Sequence, residues 1–171
     1  PAIFLASHSI FKVVEKETNF QIKKANFYAG HSLGEYSALC CADALNFEQT
    51  INLLNLRGKA MQNAVPNGEG GMLAILGSKI QDINILLKDN YNKFQCYVAN
   101  DNSIGQIVIS GKIPSIELLE KILKKQNIKF IRLQVSAPFH CPLMKKATEI
   151  MKDNILSANF SKPIVDIISN V

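Results

Sequence analysis

The chain has 171 residues, 47% of them hydrophobic, and 19 basic against 14 acidic side chains for a net charge of +5. That supports one real core, gives no sign of disorder, and leaves a large domain and a smaller insert both lean. No run approaches the ~18 consecutive apolar residues of a membrane span, and the first residues show no basic stretch leading into an apolar core and cleavage site, so the expectation is a soluble chain without a leader. The positive charge is scattered lysine, with small clusters at Lys23-Lys24, Lys124-Lys125 with Lys129, and Lys145-Lys146. Such clusters suit solvated helix faces or a field that attracts a polyanion. Nucleic acid fits less well, because aromatic-rich sheet motifs and helix-turn-helix patterns are absent.

Pro1 to Val14 is apolar at helical spacing (Ile3, Phe4, Ala6, Ile10, Val13, Val14) and starts without a cap or an initiating methionine, like a helix cut open. An internal fragment of a longer protein is therefore expected. Ala25 to Ala29 reads as a short buried strand and Leu33 to Ala44 as a helix. Asn46, with Gln49 three residues on, caps a further helix that runs towards Ala64. Pro66-Asn67-Gly68-Glu69-Gly70-Gly71 is a turn-rich break. After it come a strand (Met72 to Leu76), a helix (Lys79 to Lys88), two strands (Phe94 to Ala99, Gln106 to Ser110), a helix (Pro114 to Lys125) and a strand (Ile128 to Val135). That order, βαββαβ, is the ferredoxin-like split unit. Leu143 to Leu156 reads as a last helix and Pro163 to Ser169 as an apolar strand.

Between the first strand and its helix stands Gly30-His31-Ser32-Leu33-Gly34, the spacing of a nucleophile elbow. Glycines two before and two after a serine permit a sharp strand-to-helix turn. The turn exposes the hydroxyl of Ser32 and aims the N–H of Leu33 at a developing oxyanion. A serine alcohol needs a base, and His8, His31 and His140 are the candidates. His8 most simply faces solvent from the first helix. His31 leaves the elbow in another direction and suits packing or a partner contact. Four cysteines, at 40, 41, 96 and 141, form no C-x-x-C pair and read as buried thiols of a reducing cytosol. Arg57, one of two arginines, sits within Leu53-Leu54-Asn55-Leu56 and suits either a core-edge ion pair or a bidentate clamp for a ligand carboxylate.

Gly30-His31-Ser32-Leu33-Gly34-Glu35-Tyr36-Ser37-Ala38-Leu39, Leu56-Arg57-Gly58-Lys59-Ala60-Met61 and Ala137-Pro138-Phe139-His140-Cys141-Pro142-Leu143-Met144 together resemble the malonyl-CoA:acyl-carrier-protein transacylases in order and spacing. The run Val98 to Gly111 resembles the same family, so the likeness covers nearly the whole chain. It implies an α/β architecture: a partial, hydrolase-like parallel-sheet large subdomain (1–70 and 136–171) with a ferredoxin-like βαββαβ small subdomain (71–135) inserted. It also implies a ping-pong acyl transfer from malonyl-CoA to the phosphopantetheine thiol of acyl carrier protein, in fatty acid biosynthesis, through a malonyl-Ser32 intermediate.

In that reading His140 is the base and Arg57 holds the free carboxylate of malonate. Phe139 leaves no room for a 2-methyl branch, His31 and Leu33 adjoin the substrate, and Asn100, with Gln106, lines the cleft. Arg132 is a surface residue or a contact for coenzyme A. Asp153 and Asp166, the acids downstream of His140, sit in no recognisable motif, which fits a Ser-His dyad. No metal or redox cofactor, nucleic acid or membrane is implied, and a cytoplasmic monomer is expected. The family's Gly-Gln-Gly loop, which gives the second oxyanion amide, would precede Pro1, and the glutamine that orients its histidine would follow the last residues. The segment by itself is therefore expected to be weakly active or inactive, and the complete product active. The other readings are a serine esterase or thioesterase, a module that only docks carrier protein, and an acyltransferase domain of a multienzyme.

Overall fold

A computed structural model describes residues 1–19 and 21–170. The fold mixes helices with one parallel and one antiparallel sheet. Two compact units divide the chain: Pro1–Gly58 with Met151–Val171, and Lys59–Ile150.

The first unit is built on helices α1 (Ala2–Glu17), α2 (Leu33–Cys41) and α3 (Phe47–Gln62), the last of which runs on into the second unit. Asn46 caps α3, its Oδ1 accepting the N–H of Gln49 at 2.8 Å. Phe4, Cys40 and Leu54 form one buried cluster with Leu33, Tyr36 and Ile51 around it, so one face of each helix supplies a shared core. His8 does not face solvent. Its ring lies 5.6 Å from that of Phe4 and 5.0 Å from that of Phe47, and burial lowers its pKa.

Strand β1 (Phe27–Ala29) pairs in parallel with β6 (Asp166–Ile168), Tyr28 opposite Ile167. The expected buried strand over 25–29 is shorter and more open than its apolar sequence suggests. Only Tyr28 is half-buried, and Phe27 is 58% exposed. With β6 as its sheet partner among the described residues, the strand turns alternate side chains away from the helices.

In the second unit the order is β2 (Gly70–Leu76), α4 (Ile80–Asp89), β3 (Cys96–Ser103), β4 (Gln106–Lys112), α5 (Ile113–Lys125) and β5 (Lys129–Arg132). The four strands lie in the order β3-β4-β2-β5, each antiparallel to its neighbours. Leu73, Ile75, Ile107 and Ile109 meet Ile83, Leu86 and Leu87 of α4 and Ile116, Leu119 and Leu123 of α5 in the main core. The opposite face is covered too: Met72, Ala74 and Val108 pack with Leu133, Val135 and Phe139. Burial on both faces explains why β2 reads as a continuous apolar run rather than an alternating one. β5 ends earlier than the expected Val135: Leu133 N–H still donates to the Met72 carbonyl of β2 at 3.0 Å, but Val135 N–H turns back to the Leu133 carbonyl and leaves the ladder. After the segment 133–144, helix α6 (Lys145–Leu156) leads back into the first unit.

The segment after β5 is pinned to the sheet of its own unit. Gly70 begins β2 rather than belonging to the preceding loop, and a Cβ there would fall 2.1 Å from Cδ of Pro138. On the face shared with Val108, the buried hydroxyl of Ser110 donates to the Phe139 carbonyl at 2.6 Å. In the first unit, a Cβ on Gly30 would sit 1.9 Å from the Gly34 carbonyl oxygen, whereas one on Gly34 would meet nothing within 4 Å. The turn therefore demands its first glycine and merely accepts its second.

Gly30→Ala is expected to cost more than about 2 kcal/mol and Gly34→Ala to stay within about 1 kcal/mol of the unmutated protein, read from urea denaturation midpoints. Ser110→Ala leaves the Phe139 carbonyl without its donor and is expected to cost about 1–3 kcal/mol in the same assay.

Candidate active site

Ser32 stands between β1 and α2 at φ 56°, ψ −107°, a conformation that a non-glycine residue adopts only under constraint. It occupies the N-cap position of α2, where a serine usually turns its hydroxyl onto its own helix. Here the side chain makes no capping hydrogen bond. Its Oγ instead accepts a hydrogen bond from Nη2 of Arg57 at 2.8 Å. The first backbone donors of the turn are used locally: Gly34 N–H reaches the His31 carbonyl at 2.9 Å and Glu35 N–H the Ser32 carbonyl at 3.2 Å. Leu33 opens the helix, with its side chain against the Phe4–Cys40–Leu54 cluster.

Arg57 lies on α3, half-buried, one turn beyond Leu53 and Leu54, whose side chains anchor that helix in the core. Burial pulls its pKa below the usual arginine value, with Tyr36 acting weakly the other way. Arginine stays protonated under such a shift. None of the ion pairs among the described residues involves Arg57. A half-buried guanidinium that meets a hydroxyl rather than a carboxylate keeps donors suited to an anion.

His140 belongs to the second unit, on the segment pinned by Gly70 and Ser110. Its φ of 56° is the other unusual backbone value. Ser32, Asp43, Asn127 and His140 are the non-glycine residues at positive φ among those described, and Asp and Asn tolerate that region routinely. Cys141 Sγ donates to the Pro138 carbonyl at 3.1 Å and Met144 N–H to the Cys141 carbonyl at 2.9 Å, closing the turn around the histidine. Phe139 packs at the junction of two clusters, against Ala137 and Met144 on one side and Met72, Ala74 and Val108 on the other.

The first unit thus brings Ser32, Leu33 and Arg57 together, with His31 exposed on the outer side of the turn. The second unit joins Phe139 and His140 on one segment. Asn100 lies half-buried in β3 opposite Val108, where the register shifts. Arg132 pairs with Glu120 at 3.5 Å on the surface, a contact worth little. The four cysteines carry free thiols, and burial pushes Cys41 up to about 11 and Cys96 up to about 12. Neither is a thiolate nucleophile near neutral pH.

Three residues that the sequence reading passed over shape the site. Ser110 holds the histidine segment. Asn170 bonds to the elbow backbone, and the Glu35 carboxylate accepts from Asn170. Glu35 stands within the recognised elbow motif, and Ser110 within the recognised run Val98 to Gly111, so both were visible as positions. Their partners, Asn170 and Phe139, lie far along the chain.

Residues 22–171 match the family model described as an acyl transferase domain. The malonyl CoA-acyl carrier protein transacylase of Haemophilus influenzae is 39% identical over 172 residues, covering 100% of this chain and 54% of that protein. The crystal structure of an acyl-carrier-protein S-malonyltransferase from Bartonella henselae superposes with a TM-score of 0.92 at 40% identity, covering 99% of this chain and 55% of its own. A malonyl-transacylase solved in complex with a type II PKS acyl-carrier protein gives 0.92 at 37% identity, over 100% and 55%. The chain spans about half the length of the curated relatives it matches. With the family model covering all but residues 1–21, the chain belongs to the acyl transferase domain family.

Proposed function

We propose that the whole protein carrying this chain moves a malonyl group from coenzyme A to the phosphopantetheine thiol of acyl carrier protein, the reaction named for its relatives. The observation that carries the reading is the 2.8 Å contact between Arg57 Nη2 and Ser32 Oγ. It puts an unneutralised guanidinium one hydrogen bond from a serine hydroxyl at a strained elbow. An acyl group of three carbons ending in a carboxylate spans that gap: its carboxylate pairs with Arg57 while its thioester carbonyl meets Ser32.

In the proposed cycle Ser32 Oγ attacks the thioester carbon and His140 takes the hydroxyl proton. The Leu33 N–H faces the oxyanion. Collapse of the tetrahedral intermediate breaks the C–S bond, and His140 returns the proton to the departing coenzyme A sulfur. The carrier thiol then gives its proton to His140, attacks the malonyl ester and is acylated as Ser32 regains its proton. The net reaction is one thioester exchanged for another, so no resident cofactor takes part.

Phe139 limits the width of the acyl site, and Asn100 and His31 contact the thioester arm or the carrier. The lysine clusters attract the phosphates of coenzyme A and the acidic carrier. The antiparallel β3-β4-β2-β5 sheet with α4 and α5 serves as a ferredoxin-like insert (71–135), and the β1–β6 pair as part of a hydrolase-like parallel sheet (1–70 and 136–171). No helix among the described residues is long and apolar enough to cross a membrane; we place the protein in the cytoplasm as a monomer. A serine esterase has no use for the buried cation beside its nucleophile, so the transferase reading is preferred.

Intact-protein mass spectrometry of the whole protein mixed with malonyl-CoA should show a malonyl adduct that Ser32→Ala abolishes. His140→Ala should slow its formation by about 10²–10⁴-fold. Release of free malonate at the same rate with and without carrier protein would instead mark a hydrolase. Arg57→Ala should slow malonyl loading by about 10–100-fold, the loss of one charged hydrogen-bonded pair, while acetyl loading from acetyl-CoA rises relative to it. A malonyl-to-acetyl ratio unchanged by Arg57→Ala would remove the clamp.

A further inference from the structure

The strained turn at Ser32 is held by a residue 138 positions away along the chain. Beyond β6, Asn170 lies over the elbow. Its Oδ1 accepts the Ser32 N–H at 3.2 Å, and its Nδ2 donates to the Gly30 carbonyl at 2.8 Å. One amide therefore grips the backbone on both sides of His31. Glu35, in the first turn of α2, holds the amide in that orientation: its carboxylate accepts from Asn170 Nδ2, from the Asn170 N–H at 3.4 Å and from the Ser169 hydroxyl at 3.0 Å. Only the carbonyl end of the side chain can face an N–H, and only the amino end can serve the Gly30 carbonyl and Glu35 together, so the network fixes the amide without ambiguity.

A backbone held at φ 56°, ψ −107° by a non-glycine residue is strained and persists only where its surroundings over-determine it. The parallel pairing of β1 with β6 delivers Asn170 to this place, while the tight approach of Gly30 to Gly34 closes the turn from below. We propose that Asn170, steadied by Glu35, is a positioning residue for acyl transfer: it locks the elbow so that Ser32 Oγ and the Leu33 N–H keep the geometry that attack requires. This rests on the reading of Ser32 as the nucleophile. The side chain bonds the peptide backbone and leaves the Ser32 hydroxyl to Arg57, so its effect falls on the rate of attack rather than on substrate affinity.

The test compares the unmutated whole protein with Asn170→Ala, Asn170→Asp and the pair Asn170→Asp with Glu35→Gln. Three quantities are followed: the rate constant of malonyl loading on Ser32, the malonyl-CoA concentration giving half that rate, and amide hydrogen exchange in the peptide spanning residues 30–34. Asn170→Ala should slow loading by about 10–100-fold, the scale of a small misplacement of reacting groups, with the half-saturating concentration within about twofold. Exchange over 30–34 should quicken. Asn170→Asp keeps an acceptor for the Ser32 N–H but loses the donor to Gly30 and faces Glu35 with a like charge, so it should be at least as slow. Adding Glu35→Gln restores a donor–acceptor pair between the two side chains and should recover part of the loss, which general destabilisation does not predict. Loading and exchange in Asn170→Ala equal to those of the unmutated protein would overturn the proposal, as would a loss carried entirely by the half-saturating concentration. Absence of loading in the unmutated protein would instead count against Ser32 as nucleophile, and the exchange arm would still read whether Asn170 holds the turn.

Discussion

A guanidinium half-buried beside a serine hydroxyl, with no carboxylate pairing it among the described residues, is the interaction on which the account of this chain turns. Buried charge is tolerated in proteins when it is paired, and partial burial alone disfavours the charged form of an arginine. In the first unit α3 carries Arg57 beyond Leu53 and Leu54 to the Ser32 hydroxyl at the turn after β1. Under the proposed reading, the partial burial that lowers the arginine's pKa would also strengthen its pairing with an anionic ligand, because the same low dielectric acts on both. In the proposed reading, selectivity for an acyl group with a free carboxylate follows from the cation, and catalysis from the hydroxyl next to it.

The segments of Ser32 and His140, the proposed nucleophile and base, are held in backbone conformations that their residues do not choose. Ser32 and His140 share positive φ, and each is fastened to its own unit by small residues and side-chain to backbone hydrogen bonds. Gly30 and Asn170 serve Ser32. Gly70 and Ser110 serve the segment of His140. The rest of each unit supplies rigidity: three helices around Phe4 and Leu54 in one, a four-stranded antiparallel sheet with both faces covered in the other.

Local pattern carried much of this to the surface of the sequence. The elbow spacing located Ser32, the Asn46 cap located α3, and the apolar runs of 72–135 located every strand and helix of the second unit to within a few residues. What pattern missed was whatever depends on a distant partner. Ala25 to Ala29 reads as buried because its residues are apolar, yet exposure is decided by what lies against the strand, and Phe27 faces outward. His8 reads as solvent-facing because its own helix is open on most sides, yet Phe47 of α3 covers it. Gly70 reads as turn, yet its lack of a side chain is used by Pro138. Asn170 looks like an ordinary polar residue after a strand until the parallel register of β1 and β6 sets it over the elbow.

The central claim, that Arg57 is the seat of a substrate carboxylate, is tested most directly by equilibrium binding without turnover. Calorimetric titration of the Ser32→Ala whole protein with malonyl-CoA and with acetyl-CoA compares two ligands that differ by one carboxylate. The account predicts that malonyl-CoA binds at least about 10-fold more tightly, the scale of one charge-assisted pair, and that the difference disappears when Arg57→Ala is added. Equal affinities for the two thioesters, or a preference that survives the loss of Arg57, would contradict it.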